Sequence, residues 1–205
     1  YTLSLQARLD RVAVEAWDGV PAFAGISGVV SGTPSAGELR VDTHDWSMHL
    51  PKLFPNRWHY DALVGAMSWS WSEQQGLRLA VPGAAVSGSE AVGAATLQLH
   101  VPPPGGTPTM DLRVALRDSR AEYHGNYLPT LSPAMEPALT EWLQESRLSG
   151  AVPLAIFAYQ GSLLKAATSE ERLISLYGRL EQGSLNFQPG WPVLDQVSGS
   201  LYLHN

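Results

Sequence analysis

The residues best suited to chemistry in this chain stand in "DTHDWSMHL", where His44, Asp45 and His49 fall close together. Two imidazoles beside a carboxylate are the donor set of a metal site or a proton relay. Their spacing argues against both. The segment reads as a strand, and side chains of a strand alternate between faces. His44 and His49 therefore point apart unless a bulge intervenes. His59 and Asp61 form a similar pair, and His100, His124 and His204 are scattered. Each reads as a surface residue of a strand.

Other catalytic chemistry is equally thin. The chain has no cysteine, so it has no thiol nucleophile, no Cys-held zinc and no disulfide framework. No G-x-S-x-G elbow and no Walker or Rossmann glycine pattern occurs. Glu136, Glu141 and Glu145 fall on a helical stretch and read as its solvated face, not as the facing carboxylates of a glycosidase. The expectation is a protein that is not an enzyme and needs no cofactor or metal. Of seven tryptophans, Trp69 and Trp71 share one face of a strand. They would suit a sugar-binding platform, or fill a core or the end of a groove; the second reading is preferred. Trp191, between Gly190 and Pro192, reads as a turn anchor.

The net charge is −6 and only 16% of residues are charged. No basic cluster exists, which argues against nucleic acid and against an anionic membrane surface. No apolar run reaches the length of a membrane span, and no stretch reads as a signal peptide. The chain begins and ends inside alternating runs, as a piece cut from a longer polypeptide would.

The elements that must position any site are mostly strands. "TLSLQARLDRVAVEAW" alternates apolar and polar residues, with a slip near Asp10. Further runs carry Met67, Trp69 and Trp71; Leu77, Leu79 and Val81; Leu97, Leu99 and Val101; and Met110, Leu112, Val114 and Leu116. Val152, Leu154 and Ile156, then Ile174, Leu176 and Leu180, Leu185 and Phe187, and Val197, Leu201 and Leu203 complete the series. Turn signals such as Thr33-Pro34-Ser35 and Ser87-Gly88-Ser89 separate them. The spacing predicts an antiparallel meander of about ten strands.

One segment breaks the alternation. Over about 133–146 a helical stripe carries Met135, Leu139, Trp142 and Leu143, with Pro137 near its start and Gly150 as its stop. Weaker one-turn candidates lie at Glu15 to Phe23 and Ser169 to Leu173.

A one-sided sheet has to hide its apolar face. A second sheet would do so, as in a sandwich or barrel. One helix of about ten residues, roughly 15 Å long, would cover only about three strands. A curled trough would have to hold something apolar. The aliphatic lining suits acyl chains, because it offers area without orienting polar groups. From the pattern alone, a closed sandwich acting as a spacer or interaction module stays open beside the trough, as does a glycan-binding module.

The segment from Tyr127 to Asn205 resembles the YhdP proteins of Gram-negative bacteria, a branch of the AsmA-like, TamB-related group. The likeness is carried by Trp142-Leu143 in the helix, the step Leu148-Ser149-Gly150, the strand from Gly178 to Phe187, and the turn Pro189-Gly190-Trp191-Pro192-Val193-Leu194. The start from Ala7 to Trp17 and the hairpin "SGTPSAGEL" fit the same pattern. The resemblance implies a periplasmic protein anchored in the inner membrane by a part outside this chain. It implies a β-groove that conducts phospholipid toward the outer membrane and supports that membrane's lipid homeostasis and barrier. It carries no catalytic motif.

The resulting expectation is a mainly β fold: one curled, twisted antiparallel sheet over residues 1–205, forming an elongated hydrophobic groove with one short helix inserted at about 133–146. The groove would be lined by Leu77, Leu79, Val81, Leu97, Leu99, Val101, Leu112, Val114, Leu116, Leu154, Ile156, Leu176, Leu185, Phe187, Leu201 and Leu203. Its partners would be phospholipid acyl chains and adjoining segments of the same longer chain. An isolated piece would shield the groove with the helix or by dimerising.

Overall fold

The alternating runs form ten strands in a computed structural model that describes residues 3–17, 19–131, 141, 147–186, 190 and 192–204. They are β1 Leu5–Val14, β2 Ala22–Thr33, β3 Ala36–His49, β4 Trp58–Ser72, β5 Gly76–Ser87, β6 Val92–Val101, β7 Thr109–Arg120, β8 Arg147–Ser162, β9 Arg172–Asn186 and β10 Leu194–His204. Each pairs antiparallel with the next, in sequence order, in one sheet. β1 and β10 do not meet, so the sheet stays open. Short connections favour this meander, since consecutive antiparallel strands need only a tight turn; the long one, residues 121–146 between β7 and β8, still joins neighbouring strands.

Among the described residues no second sheet packs on this one, and nothing lies over its aliphatic side. Each strand packs chiefly against the strands beside it, and the short helical piece touches only the other side. A compact monomer of 22.1 kDa would expose roughly 9,300 Å². This chain exposes 13,413 Å². The buried apolar residues are few: Ala22, Trp46, Tyr60, Ala91, Ala121 and Ala167. None comes from the long aliphatic series.

Apart from the single residue Glu141, the described helical structure is one short piece. A 3-10 turn, Ala121–Tyr123, runs into a single α-helical turn, α1 His124–Tyr127. It carries no 3.6-period stripe, and the sequence pattern passes over it. Of the expected helix over about 133–146 only Glu141 is among the described residues, and it is helical; Met135, Leu139, Trp142 and Leu143 lie outside them, as do Phe187 and Trp191. The candidate at Glu15 to Phe23 is not helical. Trp17 and Val20 exchange backbone hydrogen bonds of 3.2 and 2.7 Å in a tight turn, and β2 starts at Ala22. Gly19, at φ +91°, allows the chain to reverse there. The candidate at Ser169 to Leu173 is the turn into β9, closed by Glu171 N–H donating to the Thr168 carbonyl at 3.2 Å. Gly150 does not stop a helix; it lies inside β8.

A device repeats along the strands. Seven of them contain an interior residue of positive φ: Arg11, Gly25, Asp45, Asp118, Gly150, Gln182 and Gln196. Each stands two positions after an apolar residue or threonine, namely Leu9, Phe23, Thr43, Leu116, Leu148, Leu180 and Leu194. Register shifts accompany several of them. Such irregularities bend a strand and raise its twist. Neighbouring bends are tied together. Arg11 N–H donates to Ser27 Oγ at 3.1 Å, and Gln182 N–H donates to Ser198 Oγ at 3.0 Å. Thr43 Oγ1 donates to the Gly25 carbonyl at 2.5 Å. Arg11 and Asp45 pair at 3.6 Å across β2. The slip expected near Asp10 is the bend at Arg11.

At Gly150 the backbone of β8 runs against β9. A Cβ there would sit 2.6 Å from Gly183 Cα, and φ is +129°. Gly178 in β9 has nothing within 4 Å of its missing Cβ. Gly150→Ala is therefore expected to cost about 1–3 kcal/mol, read as a lowered urea midpoint, while Gly178→Ala leaves the midpoint nearly unchanged.

Candidate functional site

Residues directly opposite in antiparallel strands share a face, so the register defines rows that run across the sheet. One row is Leu5, Gly32, Gly37, Trp69, Leu79, Leu99 and Met110. Beside it stand Val81, Leu97, Leu112, Tyr159 and Ile174. The next row is Val41, Gly65, Ala84, Ala95, Val114, Phe157, Leu176 and Leu203. A fourth contains Leu63, Val86, Gly93, Leu116, Ala155, Gly178 and Leu201. These rows make one continuous aliphatic face. Gly65, Ala84 and Ala95 form a low stretch of floor between taller side chains.

The register brings together Leu77, Leu79, Val81, Leu97, Leu99, Val101, Leu112, Val114, Leu116, Leu176, Leu201 and Leu203 on this face. Leu185 pairs with Leu148 and Leu194, beyond the bend at Gln182. Leu154 and Ile156 need correction, because they lie on the opposite face. Leu154 is opposite Arg117, and Ile156 is opposite Ala115. β8 turns Ala155, Phe157 and Tyr159 to the aliphatic face instead. From Ala151 to Phe157 every residue except Pro153 is plainly apolar, so alternation there carries no phase.

The other face bears Ser68, Ser70, Arg78, Gln98, Asp111, Arg113 and Arg179. Pairs two apart on one strand meet there: Glu38 with Arg40 at 2.5 Å, and Arg179 with Glu181 at 2.7 Å. The two faces differ in exposure. Val64 and Val29, on the polar face, are 54% and 43% exposed. Leu63, Val30 and Phe157, on the aliphatic face, are half-buried, although no described layer covers them. The sheet thus curls toward the aliphatic face, where neighbouring rows shield one another. The result is a trough whose walls are hydrocarbon and whose back is polar.

The aromatic residues at one end brace the back of the trough. Trp58 and Tyr60 alternate with Leu63 along β4 and so belong to the polar face. Trp46 stacks on Tyr60 at 5.4 Å, and Trp58 meets Phe54 at 4.6 Å and Tyr127 at 5.6 Å. Trp58 Nε1 donates to the Asn126 carbonyl at 2.7 Å. The Glu90 carboxylate accepts from Asn126 Nδ2 at 3.0 Å and Tyr127 OH at 2.9 Å. Tyr60 OH donates to Tyr127 OH at 3.3 Å. α1 thus covers the back of the sheet and leaves the trough open. Burial raises the pKa of both phenols. At Tyr127 the bonds to Tyr60 and Glu90 add to the rise; at Tyr60 the bond to Tyr127 opposes it.

The polar candidates do not converge. Among the described residues no group of three or more His, Asp or Glu comes together. His44 is exposed, and His49 Nε2 donates to the Phe54 carbonyl at 3.2 Å. Asp45 has the left-handed backbone, yet His44 and His49 are not joined by it. Trp69 and Trp71 share the aliphatic face but are not a matched platform. Trp71 is 51% exposed, whereas the Trp69 ring lies over Gly37.

The family model described as YhdP protein matches residues 1–205. No curated protein and no solved structure matches the chain.

The phenols of the brace set a dependence on pH. Both stay neutral in the folded chain above the usual tyrosine range, which lies near 10. Folded chain therefore holds more protons than unfolded chain above about pH 10, and stability falls as pH rises through that range. Tyr127→Phe is expected to flatten this alkaline loss and to cost about 1 kcal/mol at neutral pH. Urea midpoints measured from neutral to alkaline pH check both effects.

Proposed function

Because the chain belongs to the YhdP family, we propose that it is one segment of a periplasmic lipid-transport bridge between the inner and outer membranes. In this reading the trough shields phospholipid acyl chains while headgroups stay at the wet rim. The parent protein is held in the inner membrane by a part outside this chain, and adjoining segments continue the trough. The role is support of outer-membrane lipid homeostasis and barrier function, without catalysis. The observation that carries the reading is an aliphatic face ten strands wide with no described protein layer over it.

The physical logic is passive. Ten strands at about 4.8 Å spacing give a path of roughly 43 Å across the rows. Each CH₂ moved from water to this face contributes about 0.8 kcal/mol. A chain lying anywhere along similar rows gains a similar amount, so it is held against escape yet meets small barriers to sliding. The lining rows offer no charged partner that would fix one position. A polar group in mid-trough changes that, because a carboxylate there stays hydrated and breaks the hydrocarbon path.

Lipid extracted from the purified chain and identified by mass spectrometry tests the reading. Phospholipid is expected to copurify with the wild-type chain, and Leu99→Asp or Val114→Asp to retain the fold and lose most of it. In cells, a photo-crosslinker at position 99 is expected to capture phospholipid, and one at position 98, on the polar face, to capture little. Equal capture at both positions, or undiminished lipid in the Asp variants, would contradict the assignment.

A further inference from the structure

The trough is not uniform at its β1 end. In the row through Leu5 and Trp69, β2 and β3 contribute two glycines in succession, Gly32 and Gly37. The bare backbone lets the strands approach closely at Gly32 and lets the Trp69 ring lie flat over Gly37, and a hollow opens between that ring and β1. Leu5 walls it on one side and Trp69 on the other, Val30 borders it in the next row, and the Thr33-Pro34 turn closes its end. The hollow has a volume of about 210 Å³. It is open to solvent on one side and has room for the end of a hydrocarbon chain.

We propose that this hollow seats the methyl end of one acyl chain, a fixed resting place at one end of an otherwise even path. The inference rests on the lipid-bridge reading and adds a named subsite to it. Three observations select the occupant. The lining is hydrocarbon apart from backbone, the Trp69 indole N–H and one hydroxyl, and that hydroxyl is engaged, since Thr33 Oγ1 donates to the Ala36 carbonyl at 3.2 Å. A headgroup would find no charged partner here. A peptide would bring N–H and C=O groups that also go unmet. Third, the hollow lies on the same face and in the same row as Leu79 and Leu99, so it continues the trough. The Trp69 ring, laid over Gly37, forms the inner wall that a chain end would meet.

Trp69 supplies the readout. The full chain is mixed with stearoyl chains brominated either in mid-chain or near the terminal methyl, and tryptophan quenching is recorded. The difference between wild type and Trp69→Phe isolates the signal of this ring from the other six tryptophans. Terminal bromine is expected to quench that signal at least about twofold more than mid-chain bromine. Leu5→Phe, at a position 57% exposed and so free of packing strain, is expected to fill the hollow and abolish the difference. A photo-crosslinker at position 114 reports lipid elsewhere in the trough. Capture at 114 with Trp69 quenching that ignores bromine position overturns the subsite and leaves the bridge reading standing. Absence of both capture and quenching overturns both. Protein–protein crosslinks from position 5 in place of quenching assign the hollow to a second copy and overturn the acyl-end assignment.

Discussion

An apolar sheet face that none of the described residues covers is the condition from which everything else in this molecule follows. Protein layers normally come in pairs because hydrocarbon left in water is costly. Here ten strands share one aliphatic face, and the described residues place no second layer upon it. Curling reduces the cost by letting neighbouring rows shield one another, but it cannot remove it. Leu201 and Leu203 on the edge strand remain 54% and 53% exposed. The chain belongs to the YhdP family, and the proposed reading has hydrocarbon from outside the chain complete this face.

The bends explain how so large a sheet holds a trough without closing into a barrel. A left-handed residue set inside most of the strands bends and twists each of them at a related level, and side-chain bonds from Ser27 and Ser198 hold two of the bends. β4, β5 and β6 carry no such interior residue, and they cross the middle of the sheet, where Gly65, Ala84 and Ala95 keep the floor low. At one end the aromatic cluster around Tyr60 and Tyr127 gives the back of the sheet its only substantial described core. Rigidity is thus spent on the polar face, and the aliphatic face is left accessible. That division suits a surface that must keep its shape whether or not it is occupied.

Much of this was legible from the sequence, for one reason: a sheet with one polar and one apolar face writes a period of two into every strand. Ten strands and the shared face of Leu77 through Leu116 follow from that period, and so do Leu176, Leu201 and Leu203. The reading lost phase at β8, where Val152, Leu154, Ile156 and Phe157 are all apolar and only the register reveals that Phe157 faces the trough. It lost the bends because Arg11, Asp45, Asp118, Gln182 and Gln196 are not glycines and give no conformational signal of their own. The pattern of an apolar residue followed two places later by the bend becomes visible only once the backbone angles are known. The helical turn ending at Tyr127 was too short for periodicity to register, and Gly19 with Pro21 marks a turn where a helix had been expected.

The central proposal is that the aliphatic face, which no described residue covers, carries no protein layer. The chain has no native cysteine, so a single Leu99→Cys variant carrying a nitroxide probes that face alone. With lipid present, the label is expected to be mobile on the nanosecond scale and accessible to oxygen, yet shielded from a water-soluble nickel complex, as in hydrocarbon. A label that is immobilised and closed to both reagents would mean that a second protein layer packs there, and the trough would not exist.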